Sequence, residues 1–236
     1  MIVALLGRTG GNSSVGLLFL GAFVVVIVAI AVGSKVAARR RERMLAEFAP
    51  SIGMDFTPGS DVVVAARLGR LQLFDQGRAR TSMNVLRGTS HGRAVAVFDY
   101  HYKTGGGKHT HHHRQTVAHV RTEGADLPRF WMRPQGMLDK LASLVGMRDI
   151  DFTDDDGFSK RWFLKSNEEE AVRRLFTPRV RGQITAERTI HIEAAGQDVV
   201  VYRAGRRADV DEIKALLEDA FRVTELLTRA GTPGRS

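Results

Sequence analysis

At 236 residues, with a formal charge of +9 and no cysteine, the chain has room for one sizeable domain and an added segment but not for two large domains. The missing cysteines exclude a disulfide framework, thiolate zinc sites and a cysteine nucleophile. Hydrophobic residues at 43% and charged residues at 26% exclude global disorder, and the basic excess gathers partly beside one apolar stretch, which disfavours nucleic acid as a partner.

No charged residue lies between Thr9 and Ser34, and residues 15–33 are a nearly unbroken run of Val, Leu, Ile, Ala, Phe and Gly. At 1.5 Å per residue, about 18 helical residues reach about 27 Å, close to the ~30 Å of a hydrocarbon core. The β-branched stretch Val24 to Val28 is a modest helix former in water, but in lipid the backbone must satisfy its own hydrogen bonds and becomes helical. A cleaved leader ending near Ala29-Ile30-Ala31 is the competing reading. Against it stand a charge-poor start, an apolar core longer than ~7–15 residues and a basic cluster directly downstream. The expected organisation is a tail (1–14), a transmembrane helix (15–33), a basic juxtamembrane helix (34–49), a soluble domain (50–230) and a flexible tail (231–236).

Lys35, Arg39, Arg40, Arg41 and Arg43 follow the apolar run, whereas Arg8 and the terminal amine precede it. The retention of positive charge on the cytoplasmic side therefore predicts a single-pass plasma-membrane protein with its C-terminal domain inside the cell. The same five residues are the expected contacts with the lipid bilayer surface, where anionic headgroups would add ~1 kcal/mol for each. Met44, Leu45 and Phe48 form a small apolar patch beyond the arginines.

After Pro50 the pattern turns to alternation. Ala79, Thr81, Met83 and Val85 are expected on one side of a strand, with Arg80, Ser82, Asn84 and Leu86 on the other, before a turn at Gly88 to Gly92. Ala94 to Tyr100 and Gln115 to Arg121 complete an antiparallel meander around the glycines at 105–107. A helix is predicted after Arg129 to Arg133, with Pro134 in its first turn, Leu138, Leu141, Leu144 and Val145 on one side and Gly146 as its stop. Phe158 to Lys165 reads as a strand. Ser166 and Glu169 read as a capping box for a short helix through Leu175, and Thr177-Pro178 opens another helical turn. Thr189 to Ala194 and Val199 to Tyr202 form a hairpin around Gly196. Asp209 with Glu212 caps a final helix whose Val210, Ile213, Leu217, Ala220, Thr224 and Leu227 make one buried stripe. A strand run followed by mixed strands and helices, with no crossover helix early on, gives an α+β fold of antiparallel strands packed with helices.

The stretches Gly88 to Tyr102, Leu127 to Pro134, and Asp149 to Phe152 through Phe158 and on to Leu175-Phe-Thr-Pro178, resemble those of membrane-anchored proteins of GC-rich bacteria, a family described as a domain of unknown function. The resemblance covers most of residues 45–225. It implies the same anchored architecture and brings no catalytic or binding residue with it.

The sharpest local anomaly is histidine. On a strand, His109, His111 and His113 would share one face, where neutral imidazoles can ligate Zn²⁺, Cu²⁺ or Ni²⁺, and His101 can approach across the hairpin. The preceding glycines argue instead for a mobile loop of solvated histidines without an ordered outer shell. Gly105-Gly106-Gly107-Lys108 fails as a phosphate loop, because that frame needs Gly at Tyr102 and Ser or Thr at His109. The carboxylates Asp149, Asp151, Asp154, Asp155 and Asp156 fail the calcium-loop spacing and read as a solvated acidic turn. Tyr100 and Tyr102 beside His101 and Lys103 suggest a stacking surface for single strands, which the end of a hairpin explains equally well. The residues call for no cofactor. The function they favour is a membrane-tethered, noncatalytic interaction or scaffold protein; the alternatives are a His-rich metal-binding membrane protein and an enzyme whose site lies outside familiar motifs.

Overall fold

The computed structural model describes residues 12–136, 147–184 and 189–231. Helix α1 runs Asn12–Phe48. From Phe19 to Val36 its large apolar side chains stand open, Phe19 at 73% and Ile30 at 67% exposure, as they must if lipid rather than protein is their solvent. Among the described residues it is the one helix long and apolar enough to cross a membrane. The chain divides into two units, Met1–Met44 and Leu45–Ser236.

The second unit is a nine-stranded antiparallel sheet with helices on both faces. In chain order its elements are β1 (Asp55–Asp61), α2 (Val62–Arg67), α3 (Gln72–Asp75), β2 (Arg78–Ser90), β3 (Arg93–Thr104), β4 (His111–Arg121), β5 (Leu127–Pro134), β6 (Arg148–Asp149), α4 (Asp156–Ser159), β7 (Trp162–Ser166), α5 (Glu169–Leu175), α6 (Pro178–Ile184), β8 (His191–Gly196), β9 (Asp198–Tyr202) and α7 (Ile213–Gly231). The strands lie in the order β1-β2-β3-β4-β9-β8-β5-β7-β6. On one face Val97, Val120, Val201, Ile192, Met132 and Leu164 meet α5, α6 and α7. On the other, Phe98, Tyr100, Val117, Val200 and Tyr202 are covered by Leu68, Leu71, Leu73 and Phe74 from the α2–α3 segment. Two covered faces explain why β3 is buried at consecutive positions from Val95 to Tyr100 instead of alternating.

The core of this unit begins inside the segment expected to be juxtamembrane. Leu45 and Ala49 are almost fully buried in it, and Phe48 packs against it. The apolar patch read beside the arginines is therefore split: Leu45 and Phe48 belong to the domain, while Met44 stays exposed. A chain beginning at Arg43 should fold without lipid and unfold cooperatively in urea. One beginning at Pro50 should lose about 2 kcal/mol, the scale of burying one Leu side chain. Equal midpoints for the two would remove the packing role of Leu45.

Several expected boundaries move, each for a local reason. The strict alternation read for β2 fails at Asn84, which adopts positive φ (56°) where the pairing with β3 shifts between Met83 and Leu86. This bulge turns Val85 and Leu86 to opposite cores, so Met83 and Val85 do not share a face. Pro134 ends strand β5, paired with Trp162, rather than opening a helix; Leu138, Leu141, Leu144, Val145 and Gly146 lie outside the described residues. The strand read from Phe158 starts only at Trp162, because Asp155 Oδ1 accepts the Phe158 N–H at 3.0 Å and caps the turn α4. Ser166 does not form the expected capping box: its Oγ accepts the Glu168 N–H (2.8 Å) and donates to the Arg129 carbonyl (2.6 Å), tying β7 to β5. The final helix starts as expected, with the Glu212 carboxylate accepting the Asp209 N–H at 2.9 Å.

Candidate functional site

Successive residues on a helix are turned by about 100°, so Lys35, Arg39 and Arg43 line one side of α1 while Arg40 and Arg41 carry the charge around it. They form a collar of positive charge directly after the apolar span. Lys35, Arg39, Arg40 and Arg43 are exposed and Arg41 is half-buried.

The histidines separate. His111, His112 and His113 are not in a loop: β4 begins at His111, and the glycines before it form a tight turn (Gly107–His109). Gly105 sits at φ +72° with its α-carbon so close to the His109 carbonyl that an added Cβ would lie 2.2 Å from that oxygen, which fixes glycine there. His113 stacks on Tyr102 (4.5 Å between ring centroids) and shares a 2.8 Å hydrogen bond with Thr104 Oγ1. His112 stacks on His101 (5.5 Å) on the opposite face. His101 is held below the usual histidine pKa, first by burial and then by the charges of Arg114, His112 and Lys103. His109 lies outside the strand, and among the described residues no three His, Asp or Glu side chains converge as a metal ion requires. Tyr100 and Tyr102 are buried under the α2–α3 segment, so neither ring is open to a base.

The acidic turn has an internal partner that spacing did not reveal. Arg181, on α6 and only 4% exposed, donates from Nη2 to Asp154 Oδ2 (2.5 Å), from Nε to Asp155 Oδ2 (3.1 Å) and from Nη1 to the Phe176 carbonyl (3.1 Å), and its guanidinium lies 4.3 Å from the Phe152 ring centroid. The Asp155 carboxyl is held below the ordinary range, first by the Phe158 N–H and then by Arg181. The cluster is a clamp between the 149–156 segment and the helical layer. Arg181→Met keeps the apolar stem but removes every hydrogen bond. Because Asp154 and Asp155 still reach water, the loss should be about 2 kcal/mol, below the range for stranding a buried charge. An unchanged urea midpoint would show the clamp to be idle.

A carboxyl with a strongly perturbed titration lies at the opposite face. Glu193 on β8 is fully buried; its carboxylate accepts the Tyr202 hydroxyl (2.7 Å) and the Leu73 N–H (3.1 Å), and the Trp131 indole N–H reaches Tyr202 Oη at 3.4 Å. Burial pushes the Glu193 pKa up to about 7 against the lowering effect of those donors, and pushes neighbouring His191 down to about 4. A catalytic carboxylate needs a reacting atom within reach. Glu193 instead caps the N-terminus of α3 from beneath and fastens the α2–α3 cover to the sheet.

A groove of about 520 Å³ lies between α6 and α7. Its floor is Val180, Ile184, Val223, Leu226 and Ala230; Thr177, Arg179, Gln183, Arg222, Glu225 and Arg229 stand around it. In the sequence the only sign of it is that Val223, Leu226 and Ala230 extend the α7 stripe sideways beyond the width one sheet contact needs.

No family model matches the chain, and no curated protein sequence matches it either. The membrane-anchored family read from the sequence is therefore not identified as a domain of unknown function by these comparisons. A solved structure does share the fold at 16% identity. It is the mycobacterial trehalose monomycolate transport factor A, TtfA, superposing with a TM-score of 0.62 over 84% of this chain and 99% of that one.

Proposed function

We propose that this chain is a noncatalytic, membrane-tethered accessory protein, anchored by one pass in the plasma membrane, with its domain on the cytoplasmic side serving the transport of an envelope lipid. The observation that carries the reading is the succession along α1: an exposed apolar span, a collar of cations, and at Leu45, two residues past Arg43, the first side chain of the domain core. So short a junction keeps the domain within reach of the bilayer surface, where the collar meets anionic headgroups. The fold shared with a protein named as a trehalose monomycolate transport factor supports the transport part of the reading. Depletion should slow the appearance of newly made long-chain lipid at the outer surface, and crosslinking in native membranes should join the domain to a membrane transporter. Normal lipid appearance with no such adduct would exclude the reading.

Orientation follows from the collar. A fluorescent reporter active only in the cytoplasm should shine when fused after Ser236, and alkaline phosphatase at the same point should be inactive. Exchanging Arg39, Arg40, Arg41 and Arg43 for neutral residues, with Arg or Lys added before Val15, should move a large share of molecules to the inverted state. Indifference to that exchange would take topology away from flanking charge.

A further inference from the structure

We propose that the α6–α7 groove binds a single-chain amphiphile bearing one anionic head, with its acyl chain along the apolar floor and its head at Arg179. This site stands apart from the transport reading and does not depend on the orientation of the domain.

The groove's size, about 520 Å³, falls within the ~300–1,000 Å³ typical of small-ligand sites. Between the rims the groove is lined by the half-buried Leu226 and Ala230 over the almost completely buried Val180, Ile184 and Val223, with Thr177 and Gln183 on the α6 side. None of the lining side chains is aromatic. A flat ring would find no face to stack on, whereas a flexible methylene chain gains area against aliphatic surface at every carbon.

The rim then selects the head. Arg222 is paired with Asp219 at 2.8 Å, and Arg229 with Glu225 at 2.7 Å. Arg179 is exposed at the α6 side and, among the described residues, has no carboxylate partner. Asp219 is shared with Arg203 (3.3 Å), so the rim is positive overall, and the Arg179 guanidinium is well shaped to grip one carboxylate or phosphate with two parallel hydrogen bonds. A zwitterionic head would bring its cation into a rim that already holds three arginines, and a neutral head would leave Arg179 unanswered.

The test uses the full-length chain in phosphatidylcholine vesicles, irradiated with a diazirine-bearing fatty acid or with the matching fatty alcohol, and peptide mapping of the adducts. Adducts of the acid are expected on residues 177–184 and 222–230 as well as on the apolar span of α1, whose labelling serves as an internal standard for probe in the bilayer. Arg179→Glu should cut groove adducts of the acid roughly tenfold, the scale of one charge-assisted hydrogen bond, without changing the standard; Arg179→Lys should keep most of them. Ala230→Trp should abolish them by filling the floor. Labelling of α1 alone would overturn the proposal, and would point to a groove covered by a protein segment. Equal labelling by the alcohol, or an Arg179→Glu variant that labels like the parent, would overturn the anionic head.

Discussion

Removing residues from Val210 onward should abolish cooperative folding of the domain. Helix α7 lays Ile213, Leu216, Ala220, Val223 and Leu227 across strands β4, β9 and β5, and all five are almost completely buried. Burying each large aliphatic side chain contributes ~1.5–3 kcal/mol, so four of them approach the ~5–15 kcal/mol by which a whole domain is stable. The loss does not stop there. Without α7 the sheet would show Ala118, Val120, Val199 and Val201 to water, and Asp219 would no longer accept from Arg203 on the strand side (3.3 Å). The truncated chain should lose near-UV dichroism and become open to proteolysis throughout the domain. A single core truncation, Leu227→Ala, should cost ~2–5 kcal/mol and leave a folded but weakened protein. Retention of an undiminished unfolding transition by the truncated chain would show that α7 is an appendage and that the sheet face is closed by something else.

What could be read before the structure follows the physics that is local in sequence. The long apolar helix was legible because some eighteen consecutive residues, enough to cross a membrane, carry one uniform pattern. The capped start of the final helix was legible because Asp209 and Glu212 are three residues apart and bond to each other's neighbourhood. The hairpin of β8 and β9 was legible because two alternating runs meet at Gly196, which takes φ +62°. Strand β5 was missed for the opposite reason: it lies between β8 and β7, and Trp131, Met132 and Arg133 read as a strand only once those partners are known. The β2 bulge was missed because no rule makes Asn84 adopt positive φ until the two facing cores compete for Val85 and Leu86. Ser166 resembled a cap by spacing, but the Arg129 carbonyl, 37 residues away, claims its hydroxyl proton. The candidate groove was invisible on the same grounds, since its two walls are separated by the whole β8–β9 hairpin. Arg181 is the clearest instance. The acidic run is exposed at Asp149, Asp151, Asp154 and Asp156, as read, but Asp154 and Asp155 are also clamped by a cation 27 and 26 residues downstream.

The last expectation concerns two residues of β8 that lie on the same face and pull stability in opposite directions with pH. Burial raises the Glu193 pKa from 4.5 to about 7, so between those values the folded protein keeps a proton that the unfolded chain has released. Stability from this residue therefore falls as pH rises from about 4.5 to about 7, by ~3 kcal/mol in total at ~1.4 kcal/mol per pH unit. His191 is lowered from 6.5 to about 4, first by burial and then by the charge of Arg133, so between those values the unfolded chain binds the proton that the folded protein refuses. Stability from the histidine therefore rises as pH goes from about 4 to 6.5, by a similar ~3 kcal/mol. The windows overlap, and in the parent the two slopes nearly cancel. Glu193→Gln keeps an acceptor for the Tyr202 hydroxyl and the Leu73 N–H while removing the titration, so relative to the parent its stability should climb as pH rises from about 4.5 to about 7. His191→Asn should do the reverse, falling relative to the parent as pH rises from about 4 to 6.5, on top of a constant loss from the smaller side chain. All other titrating groups are common to the four proteins and drop out of the differences, and the double variant should restore the parent's slope. Urea unfolding at half-unit steps from pH 4 to 8 reads all of this directly. If the two single variants track the parent in parallel, the β8 pair is open to water in solution, and the α2–α3 cover does not seal that face of the sheet.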